Sequence, residues 1–129
     1  MTTMSPARSF ASLGVPAALV AALAATGIAE PFPIQTATLP DSLAGRDLLG
    51  RGKTGSGKTL AFAIPLVTRL SVTPQRPRPG SPRALVLVPT RELANQVAAT
   101  IAPLAASARL RHTVIYLSLL HISEPTRPY

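Results

Sequence analysis

Eight consecutive residues, Gly52, Lys53, Thr54, Gly55, Ser56, Gly57, Lys58 and Thr59, are of the types and spacing that hold a phosphate chain. They meet every fixed position of the pattern G-x-x-x-x-G-K-[ST]. A polyphosphate is dense negative charge and needs many donors at short range. Glycines let the backbone fold into a concave nest of inward-pointing N–H groups. A helix starting there adds its own unpaired N–H groups and the positive end of its dipole. Lys58 supplies a mobile point charge for the β- and γ-phosphates, and the Thr59 hydroxyl suits Mg²⁺. The alternative is a glycine-rich turn that binds nothing. Its flanks argue against that: residues 47–49 are a short apolar strand candidate and 60–67 an apolar helix candidate. Strand, loop and helix together are the context the pattern requires.

The rest of the chain supplies elements to position this loop. Residues 1–8 read as a loose polar tail. Pro16 fits the first turn of a helix running to about Thr26, with Leu19, Val20 and Leu23 at helical spacing and Gly27 as its stop. Pro31, Phe32 and Pro33 force an extended approach to a second short helix, from near Ile34 and Gln35 to Pro40 or Leu43. Residues 73–83 carry Pro74, Pro77, Pro79 and Pro82 with Arg76, Arg78 and Arg83, which excludes helix and central strand and predicts an exposed basic connector. Residues 84–88 are a continuous apolar run ended by Pro89, the pattern of a strand buried on both faces of a parallel sheet. Arg91 to about Ala106 reads as helix with Pro103 a late interruption, and 113–116 is a third strand candidate. The order strand, helix, strand, helix, strand predicts a doubly wound α/β fold with right-handed crossovers.

Composition narrows the function classes. A chain of 129 residues is one small domain or part of a larger one. It is 47% hydrophobic but only 4% aromatic, so its core must be built from Ala, Val and Leu. The absence of cysteine excludes disulfides and thiolate metal sites, and His112 and His121 make no metal cluster. A net charge of +8, nearly all arginine, suits a polyanion such as nucleic acid without by itself deciding for one. No apolar run reaches the roughly 18 residues of a membrane span. Residues 17–25 imitate a signal core but lack a cleavage site and read as a buried helix, so the cytoplasm is the expected compartment.

Three blocks together resemble the N-terminal part of a DEAD-box RNA helicase, over roughly residues 9–116. Phe10, Gly27 and the run Pro31, Phe32, Pro33, Ile34, Gln35 are similar to the family's Q motif. Thr54, Gly55, Ser56, Gly57, Lys58 and Thr59, followed by Leu60, Ala61 and Phe62, are similar to motif I. Pro89, Thr90, Arg91, Glu92, Leu93 and Ala94 are similar to motif Ia. The resemblance implies the front of a RecA-like domain, an incomplete parallel sheet flanked by helices, with ATP and Mg²⁺ as cofactors. It implies that Gln35 reads the adenine edge, since a carboxamide donates and accepts at once. Phe10 would stack on the base, or alternatively anchor the first helix in the core. Residues 54–60 would hold the phosphates, with Lys58 and Thr59 in catalytic roles and Thr59 on the metal. Pro89, Thr90 and Arg91 would meet the RNA backbone without reading its sequence. The alternative for Arg91 is a surface salt bridge, and Glu92 has a structural role at the helix dipole.

The sequence also lacks parts. Phosphoryl transfer needs a strand-end acid for Mg²⁺ and a group to orient water. The chain's acids are Glu30, Asp41, Asp47, Glu92 and Glu124, and none follows an apolar strand in the right place. The family's Asp-Glu-Ala-Asp and Ser-Ala-Thr blocks and its second RecA-like domain are not in this sequence, so the fragment alone is expected not to hydrolyse ATP. Residues 117–129 resemble a translated sequencing adapter and are expected to be foreign to the fold. The rival readings are another P-loop ATPase, such as a DNA helicase, and a non-enzymatic nucleotide- or RNA-binding fragment.

Overall fold

Pro16, at φ −59°, caps the first helix, α1 (Ala17–Ala25). α2 spans Pro33–Leu43, α3 Lys58–Val72 and α4 Arg91–Ser107. The computed structural model describes residues 9–52, 57–73 and 78–116. All four helices fall within about two residues of the expected bounds at most ends, because local signals set them. Pro33 begins α2, and Thr90 caps α4. Two helices close on glycines of positive φ, Gly27 after α1 and Gly45 after α2. α4 closes the same way on Arg109, at φ 57°, with Arg109 N–H donating to the Ala106 carbonyl and Leu110 N–H to that of Ala105. That paired return of N–H groups satisfies the last carbonyls of a helix. An arginine tolerates the left-handed conformation because Leu110 beyond it packs on the core.

The core is built on α3. Its buried residues Leu60, Ala63, Ile64 and Val67 lie at i, i+3, i+4 and i+7, one face of a helix. α2 packs on α3, α3 on α4, and α4 on α1. Leu39 of α2, Leu19 and Leu23 of α1 and Leu104 of α4 complete the cluster with Phe10, Leu13 and Val15. Phe10 is only 1% exposed. Its ring fills the core, which is the anchoring role weighed for it. Pro103 does not interrupt α4, which runs on to Ser107. Burial of Leu104 and Ala105 in the final turn holds the helix past the missing N–H.

The expected parallel sheet is not formed among the described residues. Residues 47–49, 84–88 and 113–116 carry no strand ladder, and an isolated antiparallel bridge between Arg78 and Ser81 is the β pairing there. The run at 84–88 is not buried on both faces: Leu85 and Leu87 are 75% and 83% exposed. Val86 and Val88 are half-buried, the period-two alternation of an extended chain with cover on one side. The physical reason is that a parallel strand is stable only between neighbours and under helices on both faces. In doubly wound sheets consecutive strands need not be spatial neighbours, and these three segments do not pair with one another. Within the basic connector, residues 74–77 lie outside the described residues. Arg83 turns back to α3, donating to the carbonyls of Leu70 at 3.3 Å and Thr73 at 2.5 Å. It thereby covers the negative end of that helix.

Exposed Leu49, Val72, Leu85 and Leu87 have a measurable consequence. The isolated chain should bind a hydrophobic dye and lose its helical circular dichroism over a broad temperature range. A sharp cooperative transition in a monomeric sample without dye binding would contradict this.

Candidate nucleotide and nucleic-acid site

The first turn of α3 carries Lys58 and Thr59, to which the sequence pattern assigns the phosphates. Gly57 caps the helix in the left-handed conformation, φ 85° and ψ 23°, with no side-chain cap bond. The leading N–H groups of a helix face outward with the positive end of the dipole. Lys58 is exposed and Thr59 half-buried at this end. Leu60 is 7% exposed and belongs to the core. It positions the turn from behind. Thr54, Gly55 and Ser56 lie outside the described residues. Among the described residues no group of three His, Cys, Asp or Glu side chains gathers to hold a metal. Any Mg²⁺ here would be held by the Thr59 hydroxyl and by phosphate oxygens, as suits an ion that keeps several waters.

Gln35 joins the second helix to this turn. Its side chain is buried at 1% exposure. Oε1 accepts from the Phe32 N–H at 2.9 Å, and Nε2 donates to the Gly57 carbonyl at 3.0 Å. The family resemblance implies a base as the partner of Gln35; it does not reveal that both ends of the amide are tied to the protein. The family-like block around Gln35 is thus tied to Gly57, the cap at which α3 begins. A carboxamide has four hydrogen-bonding sites, so one N–H and one lone pair remain beyond these two bonds.

Pro89, Thr90 and Arg91 lie together at the start of α4, all exposed. Thr90 Oγ1 accepts from the Leu93 N–H at 3.1 Å, a helix N-cap. Its hydroxyl proton stays available to donate outward. Glu92 stands in the first turn, where its charge suits the dipole. Arg91 does not make the salt bridge weighed for it: among the described residues the ion pair is Arg46 with Asp41, at 2.7 Å. The Arg91 guanidinium instead lies 4.9 Å from the centre of the Tyr116 ring, and the Tyr116 hydroxyl donates to Asn95 Oδ1. Asn95 could be found in sequence as the i+4 neighbour of Arg91; Tyr116 gives no local signal. A basic recess lined by Arg69, Arg78 and Arg83 lies at the opposite end of α3 from Lys58. Along a helix of 15 residues that is roughly 20 Å away, and it is no part of this site.

Comparison with known proteins bears on the family and the fold. The model of the DEAD/DEAH box helicase family matches residues 32–122. The match extends into the tail that the sequence sets apart near residue 117. The chain is 54% identical over 89 residues to DEAD-box ATP-dependent RNA helicase 3 of Helianthus annuus, covering 66% of this chain and 38% of that protein. It is 43% identical over 122 residues to ATP-dependent rRNA helicase RRP3 of Pyricularia oryzae, covering 95% and 22%. The crystal structure of the RNA-helicase Prp28 from Chaetomium thermophilum bound to ADP superposes with a TM-score of 0.74 at 36% identity, over 92% of this chain and 28% of that one. The chain therefore belongs to the DEAD/DEAH box helicase family, and its fold is that of the family's RecA-like domain. It spans well under half the length of these relatives. Among the described residues no helix is long and apolar enough to cross a membrane.

Proposed function

We propose that this chain is the ATP- and RNA-binding front of the first RecA-like domain of an ATP-dependent RNA helicase. The observation that carries this reading is the Gln35 side chain, whose amide holds Phe32 N–H and the Gly57 carbonyl together. It ties a base-reading element to a phosphate-binding turn, as a site for a whole nucleotide requires. Lys58 would meet the β- and γ-phosphates, and the Thr59 hydroxyl would be the residue to hold Mg²⁺, which would supply charge neutralisation there. By the pattern they fit, residues 54–57 would add backbone donors to the same phosphates. The remaining N–H and lone pair of Gln35 address the donor and acceptor edge of adenine, which favours ATP over GTP. Thr90, Arg91 and the backbone at Pro89 meet RNA phosphates and sugars, which makes binding tolerant of sequence. Residues 47–49, 84–88 and 113–116 are the segments that would enter a parallel sheet in the complete helicase, where a second RecA-like domain would close the cleft. ATP supplies the phosphoryl group in the complete protein; this chain binds and orients it.

The test is a binding and turnover comparison on the polypeptide as it stands. ATP should displace a fluorescent ATP analogue at lower concentration than GTP does, and single-stranded RNA should bind with little dependence on sequence. No phosphate release should exceed that of Lys58→Ala, because no strand-end acid is present to organise the metal and water. RNA-stimulated release above that control would overturn the account of the missing acids. Equal affinity for GTP would overturn the assignment of Gln35.

A further inference from the structure

We propose that Tyr116 is a positioning residue that holds the Arg91 guanidinium in the orientation needed to grip an RNA phosphate. This rests on the reading of Arg91 as a backbone contact. Tyr116 is held at two points. Its ring lies under the Arg91 guanidinium, 4.9 Å from centroid to Cζ. Its hydroxyl donates to Asn95 Oδ1 across 21 residues of sequence. Arg91 and Asn95 are i and i+4 on α4, so they share one face of its first turns. The ring therefore lies along that face, fixed at its far end by Asn95 and covering the arginine at the other.

The kind of contact matters more than its strength. A carboxylate partner would occupy the N–H fork of a guanidinium and neutralise its charge. An aromatic face attracts the cation without neutralising it. A guanidinium carries five N–H donors in one planar fork, and a ring, unlike a carboxylate, does not bind that fork bidentately. The stack thus immobilises Arg91, a side chain with much rotamer freedom to lose, and leaves both its charge and its fork for a phosphate. Thr90 stands beside it with its hydroxyl proton free, because Oγ1 serves as acceptor to Leu93 N–H. Two donors at the start of α4 are then preset before RNA arrives.

The experiment measures single-stranded RNA affinity as a function of salt for the unaltered chain, Tyr116→Leu, Tyr116→Phe, Arg91→Ala and the double variant Arg91→Ala/Tyr116→Leu, with circular dichroism as a check on helix content. Arg91→Ala should weaken binding and make the log–log salt slope shallower by about 0.7, one single-strand phosphate contact. Tyr116→Leu should weaken binding about threefold, the scale of an exposed cation–π contact, and should have no further effect once Arg91 is alanine. Tyr116→Phe keeps the stack and should lose less than Tyr116→Leu. If Arg91→Ala changes neither affinity nor slope, the backbone-contact reading fails and the proposal with it. If Arg91→Ala weakens binding while Tyr116→Leu does not, only the positioning role is overturned. An equal loss from Tyr116→Leu with and without Arg91 would also overturn it, since the ring would then act on RNA directly. Should Tyr116→Leu lose helix content, the Tyr116→Phe comparison with Asn95→Ala decides: loss of the anchor with the ring kept must weaken binding only when Arg91 is present.

Discussion

Replacing Lys58 by alanine should weaken binding of MgATP about 10- to 100-fold and leave the helices intact. The magnitude is that of one hydrogen bond to a charged group, about 1.5–3 kcal/mol, converted at about 1.4 kcal/mol per tenfold. Binding alone should suffer because of where the residue sits. Lys58 is the exposed first residue of α3 and belongs to no part of the core. Alanine is the best helix former, so nothing in the fold opposes the change. Lys58→Arg should restore only part of the loss, since a guanidinium is a planar fork and the turn offers a point charge its place. Titration of a fluorescent ATP analogue into each variant, with circular dichroism beside it, checks both halves of the expectation. Unchanged affinity with unchanged helix content would mean that the phosphates are not seated at the start of α3.

The helices were legible because their signals are local. Leu60, Ala63, Ile64 and Val67 declare one face of α3 within eight residues, and Thr90 with Glu92 marks the start of α4. Pro103 misleads because helix-breaking is a local preference, and burial of Leu104 and Ala105 overrides it. The sheet was illegible for a different reason. An apolar run such as 84–88 states what the chain must bury, not whether the partner that buries it is at hand. Leu85 and Leu87 stay exposed in a chain covering 28% of a solved structure of the same fold. The exposed edges of those segments follow from the same shortage of neighbours.

The site divides along the same line. Residues 52–59 are contiguous, so the phosphate loop is read directly. Gln35 and Gly57 are 22 residues apart, and Tyr116 and Asn95 are 21 apart. Nothing in one sequence marks either pair as a contact. Phe10 shows the limit of assigning a role by residue type: a ring suited to stacking on a base is equally suited to filling a core poor in aromatics, and at 1% exposure it does the latter.

Gly57→Ala should cost about 2–5 kcal/mol of stability and abolish nucleotide binding as well, because one added methyl group meets two separate obstacles. The first is conformational: at φ +85° a residue with a Cβ is strained by about 1–2 kcal/mol. The second is steric, since that Cβ would stand 2.5 Å from Gln35 Nε2 and 2.8 Å from Phe32 Cδ2. Phe32 is 48% exposed and can swing aside, whereas Gln35 is 1% exposed and cannot. Displacing the amide breaks its bond to the Gly57 carbonyl and strands buried polar atoms, at about 1–3 kcal/mol. Against the usual stability of a small domain, about 5–15 kcal/mol, the sum is large, and here the unpaired segments leave less to spare. The two obstacles separate in a Gln35→Ala background, which removes the amide. There the same glycine substitution should cost only the conformational part, about 1–2 kcal/mol. Urea titrations of the four proteins, followed by helical circular dichroism, measure the difference. An equal cost in both backgrounds would mean that Gln35 does not bear on Gly57, and the link between base-reading and phosphate-binding elements would then have to be sought elsewhere.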